Sequence, residues 1–347
     1  MRANLREAIE IQSRACAHLG APFSAALLDH AAREEGEDGP VARLLAPWND
    51  APTDRLVRDA VALRLLASLH HLVLGGQAPR LAACYPPDAS DPDRAWEAAR
   101  EALAARPGDI ASLLAHEPQT NEVRRSACLL GGFLTIGRET GLPLRCFELG
   151  ASAGLNSLWD RFRYVIDERG QWGDPDSPVV LPCRWEGAAP PLATPLTVVE
   201  RGACDRRPVD IGEDAGALRL LSYCWADQRE RMARLRAAIG LARRAPVPVV
   251  DEPAAQWVRR AAPRAGTASV LFHSIVWQYI PPAGQAEIEA EIRIHAGRAT
   301  PDAPFFWLRM EWDGESRRFE LRLRSAPGWE DRLLAVVHPH GAFANWC

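Results

Sequence analysis

The sequence predicts an α/β fold in which a mostly parallel sheet follows a helical N-terminal region. Before residue 140, apolar residues recur at three- and four-residue steps typical of helices, in 5–31, 54–74, 94–104 and 121–137. From residue 144 onward, apolar runs typical of strands alternate with helical patterns; the runs are 144–149, 196–200, 247–251, 269–276 and 304–310. Parallel strands need long crossover connections, so this alternation favours a parallel sheet with helices on its faces.

The change of pattern predicts two regions, an N-terminal helical cap over residues 1–140 and an α/β domain over residues 141–347. An irregular insertion near 168–195 is rich in Gly, Pro and Trp, and we expect short strands within it at 178–185. The last two apolar runs, 319–324 and 333–338, flank a turn and predict a C-terminal antiparallel hairpin.

Composition restricts the partners of the chain. The 347 residues carry a net charge of −4, which argues against a nucleic acid or an anionic membrane as partner. All 41 basic residues are Arg, so no lysine can form a Schiff base. The eight cysteines are dispersed without C-x-x-C spacing, so we expect neither a metal site nor a disulfide framework. Apolar runs stay below the roughly 18 residues of a membrane span, and we expect a cytoplasmic protein.

The segment 144–156 is the most informative stretch of the sequence. An apolar run that predicts a buried strand reaches the acidic residue Glu148, and a turn of small residues, Gly150 to Gly154, follows. We expect a helix to begin at Leu155 and continue to Tyr164. A strand, a tight turn and a helix N-terminus form the geometry that cradles nucleotide-like ligands, because glycines allow close approach and the first helical amides are unpaired.

A parallel sheet that ends in an antiparallel hairpin resembles the Rossmann-like fold of class I methyltransferases, which bind S-adenosylmethionine (SAM). The segment ELGASAG (148–154) is similar to their acidic-x-Gly-x-Gly-x-Gly signature, with Ser152 in place of the middle glycine. The wider pattern resembles the uncharacterised bacterial domain-of-unknown-function family 2332 over nearly the whole chain. The segments that carry this resemblance are QTNEVRRSACLL (119–130), ELGASAGLNSLWDRFRY (148–164), SVLFHSIVWQYIP (269–281) and HPHGAFANW (338–346).

The methyltransferase resemblance implies which residues hold SAM. The turn would lie against the amino-acid end and the ribose of the ligand, which implicates Glu148, Gly150, Ala151, Ser152, Gly154 and Asn156. An acid at the end of the next strand would bind the ribose hydroxyls; Asp205 is our first candidate and Glu200 the alternative. Asp251 ends the following strand, where this fold contacts adenine.

Catalytic candidates come from two other segments. His273 follows a predicted central strand and is a candidate general base, although a structural histidine is the alternative; Tyr279 is similarly placed. In 116–125, Thr120 is a candidate helix cap with Glu122 in the first turn. We assign Glu122 to the catalytic group and Asn121 and Arg125, four residues apart on one helical face, to cofactor binding as part of a helical lid; ordinary capping with surface charge is the alternative.

Three function classes follow from these observations. The first is SAM-dependent methyl transfer to a small molecule held between the sheet and the helical cap. The second is a serine hydrolase, because Gly150-Ala-Ser152-Ala-Gly154 also matches the G-x-S-x-G nucleophile elbow, with Asp251 and then His338 or His340 in the required chain order. A helical region in place of several strands precedes this elbow, which argues against the hydrolase. The third is a methyltransferase-like protein that binds without catalysis.

Overall fold

The computed structural model describes residues 1–34, 36 and 38–347, which divide into two compact units. Unit 1 contains Met1–Thr120 and Gly212–Arg236, and unit 2 contains Asn121–Ile211 and Ala237–Cys347. This division differs from the boundary at residue 140, because the helix at 126–140 belongs to unit 2. Within the described ranges, no helix combines the length and apolar character that a membrane span needs.

The helices are α1 (Ala3–His18), α2 (Pro22–Ala32), α3 (Pro40–Leu44), α4 (Thr53–Arg58), α5 (Val61–Leu74), α6 (Pro79–Ala82), α7 (Pro92–Ala105), α8 (Pro107–Leu114), α9 (Ser126–Thr140), α10 (Asp214–Ser222), α11 (Arg229–Arg244), α12 (Ala254–Trp257) and α13 (Pro282–Arg298). The longer helices lie in or near the segments in which apolar periodicity predicts them, whereas α3, α6, α8 and α12 lie outside those segments. Short 3-10 segments include Val123–Arg125 and Leu155–Arg161.

Unit 1 is helical and is built around α5, which is buried on nearly every side. Three of its polar residues are buried with it: Ser68, whose Oγ donates to Arg64 O at 2.8 Å, and the titratable residues Arg64 and His70. Arg64 donates to the carbonyl oxygens of Asp59 (2.8 Å) and Leu114 (3.0 Å), and burial lowers the pKa of His70 to about 4. Arg64 is bonded to main-chain oxygens and His70 has a lowered pKa, so both side chains fit the helical core in which they lie.

Unit 2 contains a nine-stranded sheet and a separate three-stranded sheet. The strands are β1 (Leu144–Leu149), β2 (Arg163–Ile166), β3 (Gly170–Gly173), β4 (Val180–Pro182), β5 (Arg184–Gly187), β6 (Val198–Cys204), β7 (Val249–Val250), β8 (Ala268–Ser274), β9 (Phe305–Asp313), β10 (Arg318–Ala326), β11 (Glu330–Val337) and β12 (Phe343–Trp346). The large sheet has the order β5-β12-β11-β10-β9-β8-β1-β6-β7, and the small sheet has the order β3-β2-β4.

The α/β class and the mostly parallel sheet are confirmed. The neighbouring strands β7-β6-β1-β8-β9 are parallel to one another. When these five strands are numbered along the chain, their spatial order is 3-2-1-4-5, the order of a doubly wound sheet. Strands β10 and β11 form the predicted C-terminal antiparallel hairpin, within an antiparallel run that continues to β12. The insertion near 168–195 contains β3, β4 and β5, which also confirms short strands at 178–185.

Helices α9 and α13 cover opposite faces of the large sheet. They pack on neighbouring β9 residues, whose side chains point to opposite sides of the strand. Gly132 of α9 lies against Leu308, whereas Ile288 and Ile292 of α13 share a core cluster with Trp307. On the α9 face, the Phe133 ring stacks on Trp159 with centroids 3.9 Å apart and meets Phe272 edge-on at 5.3 Å. These three buried rings join α9, β8 and the segment after β1.

The Phe133 side chain is therefore expected to be a main source of stability in unit 2. We expect Phe133→Ala to lower the free energy of unfolding by about 3–5 kcal/mol, because it leaves a cavity in a fully buried aromatic cluster. Urea denaturation followed by tryptophan fluorescence measures the change. As control, Phe319→Ala truncates a half-buried ring beside Trp312 and should cost clearly less. Equal losses in the two variants would contradict this assignment.

Candidate functional site

The turn after β1 has the backbone that its small residues predict, but the expected helix does not follow it. Three of its residues have positive φ, namely Gly150 (68°), Ser152 (55°) and Gly154 (72°). The segment Leu155–Arg161 is a 3-10 helix interrupted at Leu158, and the chain then enters β2. The expectation of a helix through Tyr164 is wrong, because the apolar residues of this segment include the alternating buried positions of a short strand.

The main-chain amides of this turn are largely used by the protein itself. Ser152 N–H donates to Asp205 Oδ2 at 2.8 Å, which joins the turn to the residue that follows β6. Other turn amides donate from Ala151 to Cys204 O (2.9 Å), from Gly154 to Ala151 O (2.8 Å) and from Leu155 to Asn121 Oδ1 (3.0 Å). A ligand at this turn would therefore depend on side chains more than on these amides.

The two glycines allow close packing of protein against the turn. A Cβ atom on Gly150 would lie 2.3 Å from Val276 Cγ2, and one on Gly154 would lie 2.9 Å from Val249 Cγ2. Both distances are shorter than real Cβ contacts, so a side chain at either position would displace a neighbour. The faces that were expected to receive a ligand are therefore in contact with valine side chains.

Ser152 combines strain with an unsatisfied hydroxyl. Its φ of 55° is uncommon for a residue other than glycine, and the side chain is only 7% exposed. The Oγ atom is buried and has no hydrogen-bond partner among the residues that the structure describes. Buried hydroxyls are normally bonded, so this atom is a candidate contact for a ligand.

Glu148 is the second-last residue of β1 and is almost completely buried. Ser157 Oγ donates to its Oε2 at 2.5 Å. Burial raises the pKa of Glu148 to about 8, against the lowering effect of the Ser157 hydrogen bond. At neutral pH this carboxyl group is mainly protonated and neutral.

Asn121, Glu122 and Asn156 lie together beside the turn. Ser126 Oγ donates to Asn156 Oδ1 at 2.7 Å, and the Asn156 amide lies 3.4 Å from Glu122 O. The cap of this segment is Glu122, whose Oε1 accepts the Arg124 amide at 3.2 Å, rather than Thr120. Part of the Glu122 side chain is thus used in capping, and the proposed cofactor residues Asn121 and Asn156 hold the segment 121–126 against the turn.

Arg125 connects this segment to two others. Its Nε donates to Pro339 O at 3.0 Å and its Nη1 to Ser274 O at 3.2 Å. A Cβ on Gly341 would lie 2.1 Å from Arg124 O, so the C-terminal turn packs directly on the backbone beside Arg125. The four segments that characterise the sequence therefore converge around the carboxyl ends of β1 and β8.

The acidic candidates differ in position. Asp205 directly follows β6 and binds the turn amide of Ser152, and Asp251 directly follows β7 and is exposed. Glu200 lies inside β6, where it forms ion pairs with Arg145 at 2.8 Å and Arg264 at 3.0 Å. Of the two alternatives for the ribose, only Asp205 is at the carboxyl end of its strand.

His273 has both ring nitrogens in hydrogen bonds. Its Nδ1 lies 2.7 Å from Glu311 Oε1, and its Nε2 accepts from Trp307 Nε1 at 3.0 Å. The ring is fully buried and stacks on Trp277. These contacts favour the structural alternative for His273. Tyr279 is 64% exposed.

Sequence reasoning missed the residues that position the loop after β8. Glu311 Oε1 accepts from His273, from the Val276 amide at 3.0 Å and from the Trp277 amide at 3.3 Å. Val276 in turn packs on Gly150. Glu311 follows directly after the predicted strand 304–310 and lies inside the observed β9, and strand periodicity does not identify its partners.

All four segments lie within the part of the chain that matches the model of one protein family. The family described as "Uncharacterized protein conserved in bacteria (DUF2332)" matches residues 6–346. The chain belongs to this family. Neither the curated proteins nor the solved structures contain a match to the chain.

The buried Glu148 should make stability depend on pH in a predictable direction. Its pKa is about 8 when folded and 4.5 unperturbed, so between these values folding takes up a proton and the free energy of unfolding falls as pH rises. Glu148→Gln keeps a neutral group and removes this dependence. Relative to the variant, the wild type should lose on the order of a few kcal/mol from pH 5 to pH 9 in urea denaturation.

Glu200→Gln is the matched control. The Arg145 hydrogen bond lowers the pKa of Glu200, so its contribution is complete at neutral pH and is lost only as pH falls through the acid range. The difference between this variant and the wild type should stay constant from pH 5 to pH 9. Parallel profiles of Glu148→Gln and the wild type would show that the Glu148 carboxyl is ionised in the folded protein.

Proposed function

We propose that this chain binds SAM at the carboxyl ends of β1, β6 and β7 and transfers its methyl group to a small molecule. One observation carries the proposal. The first three strands of a doubly wound order end beside one glycine-flanked turn, and each contributes an acid there: Glu148, Asp205 and Asp251. Doubly wound sheets bind their ligands in the crevice at the carboxyl ends of the strands.

The side chains at this position suit the polar groups of SAM. The ribose hydroxyls, the ammonium group and the adenine amine are hydrogen-bond donors, and the Asp205 and Asp251 carboxylates are acceptors. The Ser152 hydroxyl is buried, has no partner in residues 1–34, 36 and 38–347, and can accept or donate. Because the turn amides are already bonded, we assign the contacts to these side chains.

The other residues of the site orient and shield the reacting groups. SAM, when bound, supplies an activated methyl group. Asn121, Asn156 and Arg125 hold the segment 121–126 and the C-terminal turn against the β1 turn, which restricts access of water. Neutral Glu148 leaves no buried negative charge beneath the turn. His273 and Glu311 position the loop after β8, so alignment is the main contribution of this chain.

The acceptor is expected to be a small molecule rather than a nucleic acid. The net charge of −4 gives no electrostatic attraction for phosphate backbones. Activity is then measured as the transfer of a labelled methyl group from SAM to the components of a small-molecule extract.

Binding of SAM is tested by thermal shift and calorimetry with SAM and S-adenosylhomocysteine. We expect both ligands at about 1 mM to raise the melting temperature of the wild type, because a ligand that binds the folded state stabilises it. Asp205→Asn keeps an acceptor for the Ser152 amide but removes the charge and the second acceptor, which binds the Arg207 amide, and it should weaken binding by about tenfold. Glu200→Gln, on the same strand, should bind as the wild type does.

The outcomes separate three cases. Equal weakening in Asp205→Asn and Glu200→Gln would move the ribose contact away from the carboxyl end of β6. Binding without transfer to any acceptor would favour a non-catalytic binding protein. No response to either ligand at millimolar concentration would remove the proposal.

A serine hydrolase is the second candidate, and Ser152 favours it. Its positive φ is typical of a nucleophile elbow, and its Oγ is free of hydrogen bonds. A serine nucleophile needs a histidine base within hydrogen-bond reach, and the Ser152 hydroxyl has no such bond. His340, one of the two candidate bases, has its Nδ1 atom 3.7 Å from Glu122 Oε2.

A fluorophosphonate probe distinguishes the two candidates. We expect no covalent labelling of the wild type, because Ser152 Oγ lacks a base that would activate it. Ser152→Ala serves as the background control, and intact-protein mass spectrometry measures the adduct. Stoichiometric labelling that disappears in Ser152→Ala would replace methyl transfer with acyl chemistry as the function of this turn.

A further inference from the structure

Three arginine side chains converge on one aspartate on the sheet face covered elsewhere by α13. Arg309 of β9 and Arg324 of β10 both donate to Oδ2 of Asp331 on β11, at 2.6 Å and 3.0 Å, and Arg322 of β10 lies 3.5 Å from the same atom. Glu320 pairs with Arg322 at 2.8 Å. Three positive charges therefore meet two carboxylates, and one carboxylate oxygen serves three guanidinium groups.

Several polar atoms in this arginine cluster are buried without a partner. Within the described part of the chain, Arg309 Nη1 and Arg324 Nε have no hydrogen-bond acceptor, and Asp331 Oδ1 has no donor. The Arg309 side chain is only 15% exposed, and burial lowers its pKa. Buried donors without acceptors are costly, so these atoms indicate that a bonding partner completes the cluster.

Two tryptophans fix the orientation of the guanidinium groups. The guanidinium carbon Cζ of Arg309 lies 4.5 Å from the centroid of the Trp307 ring, and Cζ of Arg324 lies 5.0 Å from the centroid of the Trp329 ring. Trp329 has a φ of 57°, which is costly for a bulky side chain, and it packs against the neighbouring apolar cluster. A planar guanidinium that is held in place offers its N–H groups in a fixed direction, which suits a bidentate oxyanion.

We propose that the arginine cluster is a binding site for a small oxyanion that also carries a hydroxyl group. Carboxylate or phosphate oxygens accept from Arg309 Nη1 and Arg324 Nε, and the hydroxyl donates to Asp331 Oδ1. A hydroxy acid and a protonated phosphate share this chemistry. The inference does not depend on SAM binding, because it rests on different residues.

The test is a titration of the full-length chain with inorganic phosphate and, separately, with glycolate and acetate. Sodium chloride keeps the ionic strength constant, and the change in total tryptophan fluorescence, to which Trp307 and Trp329 contribute, reports occupancy. We expect saturable binding of phosphate, of glycolate or of both, which identifies the class of ligand. Where glycolate binds, acetate should bind more weakly because it lacks the hydroxyl.

Variants locate the site. Arg324→Gln should weaken binding by about tenfold, a loss of one charge-assisted contact. Arg332→Gln is the matched control: Arg332 is next to Asp331 on β11 and also has a buried Nε without a partner among the described residues, but its Nη1 and Nη2 pair with Glu139 at 2.8 and 2.9 Å. It should bind within about twofold of the wild type. Should Arg324→Gln fail to fold, Arg309→Lys keeps the charge but loses the fork and should also weaken binding.

Two results would overturn the proposal. One is the absence of saturable binding of either anion at about 10 mM, beyond the effect of chloride. The other is equal weakening by Arg324→Gln and Arg332→Gln, which would mean that the anions respond to net charge and not to the arginine cluster.

Discussion

The carboxylate of Glu311 is the interaction on which the geometry of the site depends. One oxygen accepts from the His273 ring and from two consecutive loop amides, those of Val276 and Trp277. This fixes the loop after β8, whose first residue, Ile275, has a positive φ of 53°. Val276 is thereby held against Gly150, and the turn after β1 is closed from that side. Three donors on one carboxylate oxygen offset the cost of the strained loop.

A second constraint acts from the other side of the turn. Asp205 binds the Ser152 amide through Oδ2 and the Arg207 amide through Oδ1, so the carboxylate stabilises two loops at once. Asp205 therefore joins the end of β6 to the turn after β1. Ser152 is kept in its left-handed conformation by contacts to its amide and its carbonyl, while its hydroxyl stays unbonded. Four amides of the segment 151–155 are thus bonded within the protein, whereas the Ser152 hydroxyl has no hydrogen-bond partner among the described residues.

The sequence was sufficient for elements with a strong periodic pattern. The core strands β1, β8 and β9 and the long helices α5, α9 and α13 lie close to their predicted ranges, because their apolar residues repeat with the period of the element. Leu155–Tyr164 was predicted wrongly, since five buried apolar residues at mixed spacing fit both a helix and a 3-10 segment followed by a strand. The hydrogen bonds of Asn121 and Arg125 to other segments have no local signal, although both residues were selected as polar exceptions before an apolar helix.

His273 shows how a buried network decides the role of a residue that sequence leaves open. Its neighbour Trp307 has an indole N–H, which can only donate, so His273 Nε2 must be unprotonated to accept it. The proton of the neutral ring is then on Nδ1, where it is donated to Glu311. A general base in this position would have to give up one of these bonds in a fully buried environment, at the cost of an unsatisfied donor or acceptor. The same Trp307 ring carries the Arg309 guanidinium on its face, so one side chain orients both the histidine of the loop and an arginine of the arginine cluster. This shared ring explains why a tryptophan occupies a central strand, where an aliphatic residue would fill the volume but provide neither the N–H nor the aromatic face.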